Sequence, residues 1–549
     1  MQIDDNIEVY EFAFARTKKA FNSLNYLEAS AWASIAGQCA WHSHAGFYVH
    51  RQSEEILLQI GRSLDHKAIK YEEESVDNTN NLRILHVFSV ATPIGGHTRL
   101  VERWITNRLN NSECHSVLLL DQGFIRVPEW LKIAANKSGG SFISLPDDVN
   151  IIERALMLRE ISYESADVIV LHISPNDPIP LIAFAVDGGP PVVILNHADH
   201  VFWYGSFIAD LVADIRPVGQ QLSLQRRGVD NSLLLPIPLL QKKLLNKSLC
   251  RNELHLPDDK IILLSIANSY KFNPYNDLDF PKVVSTFIKS NPNTILIVIG
   301  PLPNEINWQN AIEATNGRIL VSGIVENIDI YYGAADIYLE SFPFGSLTSS
   351  LDAVLHGLPV IQAPTPVLPL LHMDQYNGMQ GNAPDIVSYY NYILQCVDNN
   401  EFRHQLGKTQ KQSIEEMHTG DGWQKYVDTI MDKLLLKHKV KPIIIDNSTT
   451  DKSDVIWADL QSMSTSCNKS ALLELIIALR ANSKYLKHGK LFMILVHVLL
   501  RFGITYNKVF LSQLMKTLAV IVLPTYFYKI LLRARTEKNW GKDFSKIAS

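Results

Sequence analysis

The feature that most constrains this chain is a rhythm. Short, almost wholly apolar runs alternate with amphipathic segments, and the alternation happens twice. In the first cycle the runs lie at 83–90 (RILHVFSV), 116–120, 168–172 and 191–196, with helix-like stretches such as Leu100-Val101-Glu102-Arg103-Trp104-Ile105 between them. Runs apolar on both faces, separated by helices, predict a parallel sheet covered on both sides. A second cycle opens after Pro236-Ile237-Pro238, with strand candidates at 261–266, 294–299, 318–321, 336–339 and 359–362 and helices at 280–290 and 351–356. At 549 residues the chain is too long for one core. Two doubly wound α/β domains facing one another are expected. No short-period repeat competes with that reading.

The flanks differ from this body. Residues 1–70 carry apolar and aromatic positions at helical spacing, as in Tyr10-Glu11-Phe12-Ala13-Phe14 and Leu27-Glu28-Ala29-Ser30-Ala31-Trp32. They read as a helical cap over an apolar face of the next domain, joined to it by an acidic, Asn-rich linker at 71–81. The expected division is a helical segment and linker at 1–81, a first domain at 82–240, a second at 241–440, and a linker with a helical tail at 441–549. The segment 423–438 reads as a late amphipathic helix, and the polar stretch 446–470 as a spacer before the tail.

Charge separates the tail from the rest. From residue 481 onward twelve Lys and Arg face only Glu537 and Asp543, a balance of +10 that leaves −15 over the remaining chain. An acidic body disfavours nucleic acid as a partner. Apolar stretches at 491–500 and 517–532 are interrupted and shorter than the roughly 20 residues a spanning helix needs. The tail (481–549) therefore reads either as an interfacial helix making peripheral contact with anionic lipid, or as a helical layer packing on the body or on a second copy in a homo-oligomer. Five scattered cysteines without a CxxC pair fit a reducing compartment, and the acidic N-terminus shows no signal peptide. A cytoplasmic setting, with peripheral attachment to the inner face of a membrane as an option, is expected.

Ligands of open α/β sheets sit outside the carboxyl ends of the strands, and four loops there stand out. In Ile94-Gly95-Gly96-His97 the paired glycines let backbone approach a ligand, and His97 suits proton transfer. In Asn196-His197-Ala198-Asp199-His200, His197 suits contacts to a sugar or leaving group; metal ligation and helix capping are the other readings, although HxxH without a third ligand is a weak metal signal. In Asn268-Ser269-Tyr270-Lys271-Phe272-Asn273-Pro274, Lys271 can offset charge on an anionic leaving group, or be a surface lysine. The fourth runs Glu340-Ser341-Phe342-Pro343-Phe344-Gly345-Ser346-Leu347-Thr348-Ser349-Ser350-Leu351-Asp352, a Gly/Ser/Thr loop opening a helix near Thr348. Hydroxyls and N–H groups at a helix start make a phosphate cradle, with Asp352 one turn in as a ribose acceptor. Asp277-Leu278-Asp279 mimics a metal-binding DxD and reads instead as a polar loop.

These motifs resemble GT-B glycosyltransferases, closest to the O-GlcNAc transferase-like and bacterial protein glucosyltransferase families, over residues 83–435. The resemblance implies two facing Rossmann-like domains and transfer of a sugar from a nucleoside diphosphate, a UDP-sugar, to a glycan or protein acceptor, with no cofactor and no metal. It implies catalytic roles for His97 at the acceptor side and Lys271 at the diphosphate, a diphosphate cradle from Thr348 and Ser349, and a ribose contact from Asp352. His197 is the other candidate catalytic base, and Gly95, Gly96, Asn268, Tyr270, Phe344, Gly345, Ser346 and Leu347 complete the expected donor contacts. Many retaining members carry a Glu-x7-Glu pair where this chain has Phe344 and Asp352, which leans toward inversion. The alternatives are a nucleotide-sugar epimerase of the same fold and a non-catalytic nucleotide-sugar-binding partner subunit.

Overall fold

The computed structural model describes residues 2–64, 81–93, 96–362, 383–435, 451–463, 470–486, 488–502 and 508–522. Gly95, Cys467 and nearly all of the 71–81 linker lie outside them. Seven parallel strands form the first sheet: β1 Leu82–Phe88, β2 Glu113–Leu119, β3 Phe142–Ser144, β4 Val168–His172, β5 Val192–Asn196, β6 Leu211–Asp214 and β7 Ser232–Leu234. Their order is β3-β2-β1-β4-β5-β6-β7. Five more form the second: β8 Ile261–Ile266, β9 Thr294–Ile299, β10 Ile319–Val321, β11 Ile337–Leu339 and β12 Val360–Ile361, in the order β10-β9-β8-β11-β12. Each sheet starts in its middle, grows to one edge, then crosses back to grow on the other side. That is the doubly wound order, and its reversal beside β1 and beside β8 opens a crevice at the carboxyl edge. The two expected Rossmann-like domains are present.

Strand alternation sorts the core. In β1, Leu85 and Val87 face one cluster with the N-terminal helices, while Ile84 and Phe88 face a second cluster shared with Trp104 and the second domain. The helices Gln2–Asn22, Tyr26–His42 and Arg51–Ser63 cover the first face. Glu54 fastens them to the loop between β5 and β6: its buried carboxylate accepts the N–H groups of Gly205, Ser206 and Phe207. The helix Gly420–Leu435 returns from the second domain to the first, where Trp423 lies edge-on to Trp104 at 5.9 Å and donates to the Pro236 carbonyl at 2.6 Å.

One feature of the carboxyl-terminal part differs from the expectation. The stretch 446–470 is no mere spacer, because it contains the helix Lys452–Met463. Its Trp457 is buried against Phe344 of the second domain and His200 of the first, and its Asp454 accepts from Arg226 and His44. One buried indole thus outweighs the polar composition around it. The tail follows one of its two expected readings, a helical layer packed on the body. Helix Ala471–Ala481 packs on the N-terminal helices through Leu475, His488–Phe502 lays His497 and Phe502 against Phe12, and Lys508–Val522 packs in turn on Ala471–Ala481. Lys490 pairs with Glu28 and Arg501 with Glu8, each at 3.0 Å. Two of the tail's cations thus meet carboxylates of the N-terminal helices, and a third, Lys484, reaches Asp121 of the first domain. No helix among the described residues is long and apolar enough to cross a membrane.

Burial of histidine gives the fold a pH limit. His44, His50, His86, His172, His197 and His418 are all held below the ordinary imidazole range, chiefly by burial. As pH falls below about 6.5 the unfolded chain takes up protons that the folded chain refuses, so stability drops. Glu54, pushed up to about 7, and Asp177 and Asp214, pushed up to about 6 by burial, act in the opposite sense. With His97 and His356 also lowered and Asp352 also raised by burial, eight imidazoles outweigh four carboxyls in that window. Calorimetry should show Tm falling by several degrees from pH 7 to pH 5; an equal or higher Tm at pH 5 contradicts this account.

Candidate active site

The carboxyl edges of the two sheets line one cavity of about 630 Å³. From the first domain come Gly96, His97, Arg99 and Arg103 after β1, His197 and His200 after β5, and Arg216 after β6. From the second come Lys271 after β8 and Gly345, Leu347, Thr348 and Asp352 after β11. Strand-end placement follows from the topology: each of these loops follows an interior strand of its sheet.

The second-domain wall is built to meet an anion. Glu340, buried at the end of β11, accepts the Ser346 N–H, and the Ser341 hydroxyl donates to the Phe344 carbonyl at 2.7 Å. These bonds fold the loop so that the helix Leu347–Leu355 begins at the cavity, with no side chain capping its first turn. Lys271 stands on the short turn Ser269–Phe272 and donates from Nζ to the Gly345 carbonyl at 2.6 Å. A helix start and an ammonium group thus share one spot, and both favour negative charge. Burial pushes the Asp352 carboxyl up, while Lys242 and Arg103 pull it back. Gly357, at φ 82°, takes the left-handed conformation that ends this helix.

The opposite wall offers bases. His97 and His197 stack with ring centroids 5.3 Å apart. Burial lowers both, and His197, beside His97, falls to about 4, so both rings are neutral near pH 7. His97 Nε2–H donates to the Val90 carbonyl at 3.3 Å and His197 Nδ1–H to the Leu195 carbonyl at 3.3 Å. Because a carbonyl only accepts, these bonds leave His97 Nδ1 and His197 Nε2 as lone-pair nitrogens.

Of the residues singled out from sequence, Gly96, His97, His197, Lys271, Gly345, Leu347, Thr348 and Asp352 line the cavity. Asn268, Tyr270, Phe344, Ser346 and Ser349 stand behind it. Phe344 is buried against Trp457 and Tyr270, and Ser346 and Ser349 face each other with oxygens 3.2 Å apart. In the Asn196–His200 loop, Asp199 is committed to a two-point pair with Arg216, both contacts at 2.7 Å, and to His200 at 3.1 Å. No group of three or more potential metal ligands occurs among the described residues. Asp279 of the DxD-like segment caps the helix Phe280–Ser290. Sequence reasoning missed Arg99 and Arg103. Their i,i+4 spacing on the helix Gly96–Arg108, directly behind the glycine loop, was the available signal.

No family model and no curated protein matches the chain. Solved structures do align with it. A Thermobaculum terrenum O-GlcNAc transferase mutant aligns at 14% identity and TM-score 0.48, over 82% of this chain and 83% of that one. A glycosyltransferase from Rickettsia africae aligns at 13% and 0.48, over 65% and 100%. Anabaena Alr3699/HepE in complex with UDP and glucose aligns at 13% and 0.48, over 64% and 100%. Such likenesses are too distant to decide a reaction. The cavity has to decide it.

Proposed function

We propose that the protein is a GT-B glycosyltransferase that moves a sugar from a nucleoside diphosphate sugar, a UDP-sugar, to a hydroxyl or amide of a glycan or protein acceptor. One observation carries this reading: Lys271 bonded to Gly345 at the start of the helix Leu347–Leu355, across a 630 Å³ cleft from two neutral histidines. The diphosphate lies against the lysine and the helix start, and Asp352 accepts from the ribose. His97 or His197 takes the acceptor's proton as its oxygen or nitrogen attacks the anomeric carbon. The bond to the diphosphate breaks, and the developing charge is stabilised where positive potential is already fixed. A single displacement with one base inverts the anomeric centre. Lysine and the helix start supply the charge a metal supplies elsewhere, so chelators leave the rate unchanged.

Melting the protein with UDP, other nucleoside diphosphates and their sugars tests the reading. A donor at 100 times its Kd stabilises by about 2.7 kcal/mol, a readable shift. The expected result is a shift with a UDP-sugar and release of UDP once an acceptor is added. Indifference to every nucleotide and nucleotide sugar removes the proposal. Epimer formation without acceptor assigns the cleft to an epimerase, and binding without turnover assigns it to a partner subunit.

A further inference from the structure

The two loops that make the anion site are both fastened from behind by one helix that the transfer mechanism has not used, Lys452–Met463. Among the described residues that line the cleft, none belongs to it. Its buried Trp457 stands edge-on to Phe344, ring centroids 5.9 Å apart, and Phe344 stands edge-on to Tyr270 at 6.2 Å. Phe344 is joined through the backbone to Gly345, and Tyr270 to Lys271, the two residues whose contact forms the site. A row of three rings thus lies directly under that contact. The last turn of the same helix holds the lysine loop a second time, where Asn273 Nδ2–H donates to the Met463 carbonyl at 3.0 Å.

The other side of the helix is bonded to the first domain and to the N-terminal helices. Asp454, its side chain fully buried, accepts from His44 Nε2 and from Arg226, each at 2.9 Å. Gln461 accepts the His44 N–H at 2.7 Å and donates to the Trp41 carbonyl at 3.2 Å. Trp457 also meets His200 edge-on at 5.6 Å, and His200 lines the wall opposite Lys271. Tyr48, Val201 and Leu222, Phe344 of the second domain, and Trp457 and Leu460 of the helix make one small core. Lys271 and Gly345 stand on loops, and a loop keeps a fixed geometry only where packing and hydrogen bonds behind it lock its side chains. Here both locks come from a single, separately anchored helix.

We propose that Trp457 and Asn273 are positioning residues for the diphosphate, holding the Lys271 loop and the Phe344–Gly345 loop at the spacing where the ammonium group and the helix start meet one anion. This rests on the glycosyl-transfer reading. Neither residue touches the diphosphate. Trp457 fixes Phe344, and with it the Gly345 carbonyl and the opening of the helix Leu347–Leu355. Asn273 fixes the end of the turn Ser269–Phe272 that carries Lys271. A site held in place in advance binds its anion without the cost of ordering two loops. Because the same helix is bonded to the first domain, the loops are also held at one distance from the histidine wall.

UDP carries the charge that the leaving group develops, so its affinity for the full-length protein, read by calorimetry, reports on the anion site. Trp457→Leu and Asn273→Ala should each bind UDP about tenfold more weakly than the wild type, since displaced loops forfeit their preorganised geometry. Trp457→Phe keeps an aromatic ring against Phe344 and should recover most of the affinity. Asn273→Ala removes a single half-buried hydrogen bond, so it should melt near the wild type even where Trp457→Leu does not fold. Leu475→Ala, in the core shared by the tail and the N-terminal helices, should melt lower and still bind UDP as the wild type does. Combined with Lys271→Ala, Asn273→Ala should cost little further affinity, because its effect passes through that lysine. Wild-type UDP affinity in Asn273→Ala, full additivity with Lys271→Ala, or equal weakening by Leu475→Ala overturns the proposal. A wild-type protein indifferent to UDP removes the glycosyl-transfer reading instead.

Discussion

Lys271→Ala should transfer sugar about 10²- to 10³-fold more slowly than the wild type while folding normally. The magnitude is that of removing one preorganised group from a developing anion. Lys271 reaches the Gly345 carbonyl, so its ammonium group is fixed beside the helix start where the leaving diphosphate gathers charge. Its loss falls on the transition state more than on the ground state, so kcat should drop more than donor affinity. The side chain is only half-buried, so the melting temperature should move little. Lys271→Arg should recover part of the rate, since the charge remains but the fork is longer and planar. Near-normal turnover by the alanine variant would remove the lysine from the mechanism.

Asp199→Ala should cost the fold about 3–5 kcal/mol, the usual penalty for leaving a buried charge without its partner. Both members of the Asp199–Arg216 pair are almost wholly buried, and Arg216 lines the cleft. Burial works to raise the Asp199 carboxyl, yet Arg216 and His200 overcome it and hold the group well below the usual carboxylate range. A depressed carboxyl contributes stability that is fully present above about pH 4 and lost only as pH falls through the folded value. The pair therefore still contributes at pH 5, where the buried histidines already weaken the fold. Gly219 leaves no room for an alternative, because a Cβ there would run into the Asp199 carboxylate. Chemical denaturation of the variant at pH 7 measures the effect; a loss under 1 kcal/mol would show the pair to be dispensable.

The parts of this architecture that repeat within a few residues were legible in the chain. The runs at 168–172, 261–266 and 294–299 became β4, β8 and β9 without adjustment, because full burial on both faces demands continuous apolar sequence. The glycine- and hydroxyl-rich segment before Asp352 opened its helix within one residue of the position expected from sequence. Strands β3, β6 and β7 passed unnoticed. The helix Lys452–Met463 was hidden by polar neighbours, since only Trp457 and a few companions meet the core.

Sequence by itself determined which residues could stand at strand ends, because loop chemistry and apolar runs are local properties. It also fixed the sheet face that each strand histidine takes, through the two-residue repeat. Only the tertiary structure decided which histidines touch. His86, His115 and His172 become one line because β1 is paired between β2 and β4, and that order is a global property of the sheet, set by crossovers and packing. The same holds for the cleft, where Lys271 and His97 meet across domains whose strand patterns say nothing of each other.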